Sequence, residues 1–131
     1  MYQDFEEEIK KLKHEIYQLR QVIGNVEANV YWKDEHGRYL GMNKANAKSL
    51  NITDINSVLG KTELDLIEDQ QAAQKILNND LKVIKVGKSC SFVEKYPMND
   101  RSGITLFMSK KAPLRDEFGN IVGIVGISVH M

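Results

Sequence analysis

Three strand-like segments follow one another in the last third of the chain and constrain the fold more than any other feature. They read SCSFVEKYPM, GITLFMSKKAPL and NIVGIVGISV, and each is rich in strand-forming residues. The turns between them, Asn99 to Gly103 and Arg115 to Asn120, contain the Gly, Asn and Asp typical of reversals. Neighbouring strands with tight turns pair antiparallel, so this part of the sequence predicts an antiparallel sheet.

The segment before these strands adds a hairpin and several helices. Residues 30–33 and 38–42 predict two strands, joined by Asp34-Glu35-His36-Gly37. Short helical stretches are predicted at 44–50, 55–59 and 63–67, and a longer helix, whose apolar stripe is Ala72, Ala73, Ile76, Leu77, Leu81 and Ile84, ends at Gly87. The predicted fold is α+β: a five-stranded antiparallel sheet with short helices and one longer helix on one face.

The first 24 residues predict a helix with a heptad seam. Tyr2, Ile9, Ile16 and Ile23 fall at position a, and Phe5, Leu12 and Leu19 at position d. Glu8 and Glu15 at g would oppose Lys13 and Arg20 at e in a parallel pair. The pattern favours a parallel coiled-coil homodimer; the alternative is an amphipathic helix that lies on its own domain. Gly24-Asn25 is a helix stop, which predicts a helix at 1–24 and a domain at 25–131.

Composition excludes several function classes. The 18 Lys and Arg residues balance 18 Asp and Glu residues, so no net field favours nucleic acid or an anionic membrane. The single Cys90 has no partner for an internal disulfide, which fits a reducing compartment. No apolar run reaches membrane-spanning length, and the charged start is no signal peptide. We therefore expect a cytoplasmic location, with no nucleic-acid or membrane contact by this segment.

No residue set in the sequence predicts catalysis or a metal site. Asp34, Glu35 and His36 are consecutive, so they could supply one or two ligands at best, and an Asp at such a turn more often binds backbone amides. Cys90 has no histidine nearby in the sequence, and His14 lies on the outer face of the first helix. An enzyme using His36, Asp34 or Cys90 stays an alternative hypothesis.

Three stretches occur in a specific order. YWKDEHGRYLGMNKANA contains the predicted opening hairpin, LGKTELDL follows the first short helix, and KKAPLRDEFGNIVGIVGIS contains the pattern P-x-x-D-x-x-G-x-x-x-G. Together they resemble the opening, middle and closing motifs of the PAS sensory domain family. The resemblance runs from about Val26 to the end. It implies that haem and covalently linked flavin are absent, because the long helix has no histidine and 55–71 has no cysteine.

The resemblance also implies a pocket between the helices and the concave face of the sheet, lined by apolar residues. The candidates are Leu40, Met42, Ile76, Leu77, Phe92, Leu106, Met108 and Ile124, together with Trp32, which a dimer contact could hold on either face. Trp32 would face inward if Lys33 faced outward. Simple core packing is the alternative for each of them.

The resemblance and the heptad together predict a sensory and dimerisation module of a signal-transduction protein, such as a histidine kinase of a two-component system. A small ligand or partner would shift the population of two states, and the helix would pass that shift to a downstream signalling domain. A pure protein-interaction scaffold without a ligand is the alternative. By this prediction the chain alone is no enzyme, and the identity of its ligand is open.

Overall fold

The computed structural model describes residues 1–131, and its elements follow the predicted order. The helices are α1 (Tyr2–Gly24), α2 (Lys44–Ser49), α3 (Glu63–Leu66) and α4 (Gln70–Val86), with a single 3₁₀ turn at Ile55–Ser57. The strands are β1 (Asn29–Asp34), β2 (Tyr39–Met42), β3 (Cys90–Pro97), β4 (Ile104–Arg115) and β5 (Ile121–His130). The fold is α+β, as predicted.

The strands form one five-stranded antiparallel sheet in the order β2-β1-β5-β4-β3. The first and last strands of the domain therefore pair in the middle of the sheet, with Tyr31 opposite Gly126. The pairing of β1 with β2 has a bulge, because Trp32 lies opposite Gly41 while Lys33 lies opposite Tyr39. This bulge decides which side chains of β2 face the helices.

The helices begin and end where local side chains satisfy their free backbone groups. The side chain of Asn43 accepts from the Asn46 amide to cap α2, and Asp69 accepts from the Ala72 amide to cap α4. Gly87 ends α4 in the left-handed conformation, at φ 73°, which glycine adopts without steric cost. Helix α2 packs against β1, and α4 packs against β3, β4 and β5, so both cover the same face of the sheet.

The apolar core lies between that face and the helices. The larger buried cluster is Tyr31, Tyr39, Met42, Ala47, Val58, Val83 and Ile124. A smaller one is Ile67, Ala73 and Ile76. Ten polar or charged residues are buried as well, among them Lys33, Asp80 and Lys111.

Helix α1 buries none of its residues. Leu12 and Ile16, in the middle of the predicted seam, are each 49% exposed, and Phe5, Ile9 and Leu19 are more exposed still. The helix is tied to the domain only near its end, where the Asn43 amide donates to the Ile23 and Ala28 carbonyls at 3.3 and 2.9 Å. The apolar seam therefore does not lie on its own sheet.

The outer face of the sheet is also apolar, and four predicted pocket residues are on it. Leu106 and Met108 are about 40% exposed, because Phe107, Ser109 and Lys111 take the inward positions of β4. Leu40 is displaced outward by the bulge, and Trp32 crosses Gly41 on the outer side. The predicted inward placement of Leu40, Leu106 and Met108 is wrong. Trp32, which the sequence placed inward only if Lys33 faced outward, lies on the outer face because Lys33 faces inward.

Candidate functional site

A small cavity of about 30 Å³ lies between the sheet and the helices, which is room for about two water molecules. Its walls combine aromatic rings with charged and amide groups. The lining residues are Asn29, Tyr31, Lys33, Tyr39, Asn46, Leu50, Glu63, Ile76, Glu94, Tyr96, Phe107, Lys111 and Ser128. The site is therefore more polar than the apolar pocket that the sequence predicted.

Lys33 is the first of two lysines buried beside the cavity, with 1% of its surface exposed. Its ammonium donates to Asp80 Oδ2 at 2.7 Å and to Glu63 Oε1 at 3.0 Å. The ring of Tyr39 lies 4.7 Å from the same nitrogen, within cation–π distance. Burial opposes the charge of Lys33, but Asp80 and Glu63 more than offset it and raise its pKa above the usual value. Lys33 is therefore charged inside the protein.

Lys111 is the second buried lysine and is fully enclosed. It donates to Asp80 Oδ1 at 2.6 Å and to Glu94 Oε2 at 2.7 Å. Burial again opposes the charge, and neighbouring Tyr31 and Asp80 raise the pKa of Lys111. Asp80 on α4 thus bridges both lysines, and they lower its pKa against the opposing effect of burial.

The five side chains form a chain of alternating charge, Glu63–Lys33–Asp80–Lys111–Glu94, which we call the charged cluster. It contains three carboxylates and two ammonium groups. Replacing a buried ion network by apolar residues is often neutral or stabilising, so burial of these groups is weak evidence of a role in stability. A buried ion network, whose charges are costly to remove from water, is typical of a functional site when it lies beside a cavity.

Glu63 is the end of the charged cluster that faces Tyr39 and Tyr96. Its Oε1 accepts from Lys33 and from the Tyr39 hydroxyl. Its Oε2 is buried and accepts no hydrogen bond. Burial and the Glu63 carboxylate raise the pKa of both Tyr39 and Tyr96, so each hydroxyl keeps its proton.

Local structure explains how these groups meet. A side chain on Gly126 would overlap the Tyr31 ring, so this glycine lets Tyr31 lie across β5. The Tyr31 hydroxyl then pairs with Ser128 at 3.0 Å, and Ser128 pairs with Ser109 at 2.7 Å. The bulge in β2 keeps Tyr39 on the inner face, next to Lys33.

Of the predicted pocket residues, Ile76 lines this cavity. Met42 and Ile124 belong to the larger apolar cluster, and Phe92 packs against it. Leu77 is buried under the Gly37 turn. The structure therefore places these four in the core around the cavity, and Leu40, Leu106, Met108 and Trp32 on the opposite face of the sheet.

The sequence analysis missed the charged cluster, although α4 carried a signal. Asp80 lies four residues after Ile76 and three before Val83, which places it within the buried stripe rather than on the polar face. Leu81, which the sequence predicted in that stripe, is 39% exposed. An acidic residue on a buried helix stripe needs a buried cation, and Lys111 supplies it.

The Asp34-Glu35-His36 segment is the tip of the β1–β2 hairpin. Asp34 Oδ1 accepts from the amides of His36 and Arg38, both at 2.9 Å, and Oδ2 accepts from the Arg38 guanidinium at 2.7 Å. Burial opposes ionisation of Asp34, but the hydrogen bonds from Arg38 and His36 together outweigh it and lower the pKa of Asp34. The carboxylate is thus used to close the turn. No group of three or more His, Cys, Asp and Glu residues could hold a metal ion.

Comparison with known proteins places this geometry in a family. The family model described as PAS fold matches residues 24–131, and the chain belongs to that family. The fold is a sensory and regulatory one, so this chain is a sensory domain and not an enzyme. No curated protein sequence matches the chain. No helix combines the length and apolar character that a membrane span requires.

Solved structures with the same fold include receptors and isolated sensory domains. The Vibrio cholerae VqmA dimer in the absence of its target DNA, described in relation to DNA binding by LuxR-type receptors, has a TM-score of 0.77 and 19% identity over 88% of this chain. This chain spans about half (51%) of that protein. The PAS domain of Bordetella pertussis BvgS has a TM-score of 0.71 and 21% identity, covering 90% of this chain and 87% of that one. Another VqmA structure is bound to DPO.

Proposed function

We propose that this chain is the ligand-sensing and dimerisation module of a larger signal-transduction protein. The observation that carries the proposal is the cavity beside the charged cluster, where a buried carboxylate oxygen of Glu63 has no partner. A buried acceptor without a donor costs about 1–3 kcal/mol, and a ligand that supplies a donor recovers that cost. Only the ligand-bound state would then give every buried hydrogen-bonding group of the site a partner.

Helix α1 is the proposed output of this module. Its exposed seam can pair with the same seam of a second copy, where Glu8 and Glu15 would meet Lys13 and Arg20. The Asn43 amide holds the end of α1 and the start of β1 through the Ile23 and Ala28 carbonyls. A change in the sheet therefore has a direct route to the dimer helix.

The output domain is a further part of the proposal. A histidine kinase is the output that the sequence analysis suggested, and a DNA-binding region is the one that the VqmA relative carries. In either arrangement the balanced charge of this chain leaves nucleic-acid contact to another region of the protein.

Ligand binding can be tested on the purified chain. We expect native mass spectrometry to show a non-covalently bound small molecule, or a metabolite panel to raise the melting temperature. Ile76→Phe, which places a ring in the cavity wall, should abolish the response. Val93→Phe adds the same ring on the outer face of β3, at a 57% exposed position, and should leave the response intact. The absence of any bound mass and of any shift would overturn ligand sensing and favour the scaffold alternative.

A further inference from the structure

The charged cluster lacks one positive charge and one hydrogen-bond donor. Its three carboxylates face two ammonium groups, and each lysine already donates to two carboxylates. The missing donor is localised, because Glu63 Oε2 is the buried side-chain polar atom without a hydrogen-bond partner. Glu63 also lines the cavity. The missing positive charge and the missing hydrogen-bond donor would therefore both be supplied at Glu63.

The remaining walls of the cavity suit a cation. Four aromatic side chains line it: Tyr31, Tyr39, Tyr96 and Phe107. The lysine ammonium groups already lie over Tyr31 and Tyr39, so Tyr96 and Phe107 are the rings left for a ligand. Aromatic faces attract cations, most strongly where water is excluded. An anion would have to displace carboxylates that the two lysines already bind, and the free oxygen of Glu63 would repel it.

We propose that the cavity binds a compact organic cation with N–H donors, of the amidinium or small primary ammonium class, and that Glu63 Oε2 accepts its hydrogen bond. The inference rests on the proposed function, since it names the ligand class of the same site. The volume of about 30 Å³ restricts the part of the ligand that reaches Glu63 to a few heavy atoms. Glu63 would act as the residue that selects the charge of the ligand.

Three probes of equal size test the charge directly: acetamidinium, acetamide and acetate, each at the same ionic strength. Binding is read from saturable amide chemical-shift changes at cavity-lining residues and from the melting temperature. We expect acetamidinium to give the only saturable response. A response to acetamide or acetate that equals or exceeds it, or no saturable response to acetamidinium, would overturn the inference. The three probes are tested on the parent protein, so the result does not depend on whether a variant folds.

Matched variants test the role of Glu63. Glu63→Gln keeps an oxygen for Lys33 and Tyr39 but removes the charge, and we expect it to weaken acetamidinium binding at least tenfold. Glu94→Gln removes the same charge from the other end of the charged cluster, where Oε2 already accepts from Lys111 and Asn79, and should weaken binding less. Equal losses in both variants, or none in Glu63→Gln, would contradict direct contact with Glu63.

Tyr96→Phe separates a ligand from an internal donor. The Tyr96 hydroxyl is the internal group that could turn to Glu63 and donate to Oε2. Removing it leaves that oxygen free, so Tyr96→Phe should strengthen binding of acetamidinium. A loss of binding would contradict the proposed contact.

The failure of this inference is distinct from that of the proposed function. A neutral or anionic ligand that Ile76→Phe excludes would overturn the cation class and leave ligand sensing intact, whereas no ligand of any class would overturn both.

Discussion

Helix α1 and the charged cluster depart from the usual distribution of polarity in opposite ways: the helix exposes apolar residues, and the domain buries charged ones. The helix holds Leu12 and Ile16 half-exposed to solvent, while the domain encloses Lys33, Lys111 and Asp80 almost completely. Exposed apolar residues are common singly, but a continuous seam at heptad spacing is not. Buried charges are rare unless they are paired. Each departure costs free energy in the isolated chain.

The difference between the two regions lies in how that cost is offset. The charged cluster is almost complete within one chain, because each of its lysines and Asp80 has two partners. The seam of α1 has no partner within the chain. The comparison therefore predicts that breaking one pair of the charged cluster lowers the stability of the domain, because it leaves buried charges less well paired, and that changing the helix alters association. Substitutions should separate the two effects.

The largest expected effect is on association, from Leu12→Asp at a d position. Each dimer would lose two buried leucine side chains, at about 1.5–3 kcal/mol each, which raises the dissociation constant by roughly two to four orders of magnitude. Sedimentation at several concentrations measures it. His14→Asp, on the exposed side of the same helix, should leave the dimer intact. A dimer that survives Leu12→Asp would contradict the coiled coil and point to the apolar outer face of the sheet.

The next effect is on folding, from Asp80→Ala. The substitution leaves Lys33 paired with Glu63 and Lys111 paired with Glu94, but each buried ammonium loses one charge-assisted hydrogen bond. The free energy of unfolding should fall by about 1.5–3 kcal/mol. Urea unfolding followed by the fluorescence of the single Trp32 measures it. Lys82→Ala, at an exposed position of α4, should change it by less than about 0.5 kcal/mol. If Asp80→Ala lowered the free energy of unfolding as little as Lys82→Ala does, the charged cluster would not stabilise the domain.

The smallest effect is the dependence of stability on pH. The pKa of Asp80 is below its ordinary value of 3.8, so its contribution is present above about pH 4 and is lost as the pH falls further. The pKa values of Lys33 and Lys111 are above 10.5, so their contributions are full below that pH and are lost as it rises. The free energy of unfolding from urea titrations should be flat near neutrality and should fall at both ends, by up to about 1.4 kcal/mol per pH unit for each group.

Asp80→Asn provides the control for the acid side, because it removes the titrating group and keeps its size. Other carboxylates also titrate in acid, so the informative quantity is the difference between the two proteins. Between pH 5 and pH 3 the variant should lose less of its stability than the parent. Parallel curves would show that Asp80 does not carry the acid dependence.

Several features were predictable from local sequence because local chemistry determines them. The heptad defined α1, the Asn43 cap and Gly87 marked helix ends, and the turn residues separated the strands. The hairpin tip was also predictable, since an aspartate can bind the amides of its own turn. The predicted site was less accurate: Ile76 lines the cavity, while Leu106 and Met108 lie on the far side of the sheet.

The sequence by itself determined the elements and their order, because periodicity, capping and turn chemistry act between residues close along the chain. Its motifs resembled the PAS family, and the family model over residues 24–131 established the membership. The tertiary structure alone decided which face of each strand is inside. Both faces of β4 carry apolar residues, so alternation could not distinguish them, and the bulge at Leu40 reverses the phase within β2. Lys33 and Lys111 turn inward because Asp80 on α4 lies between them, a contact across 47 and 31 residues of chain.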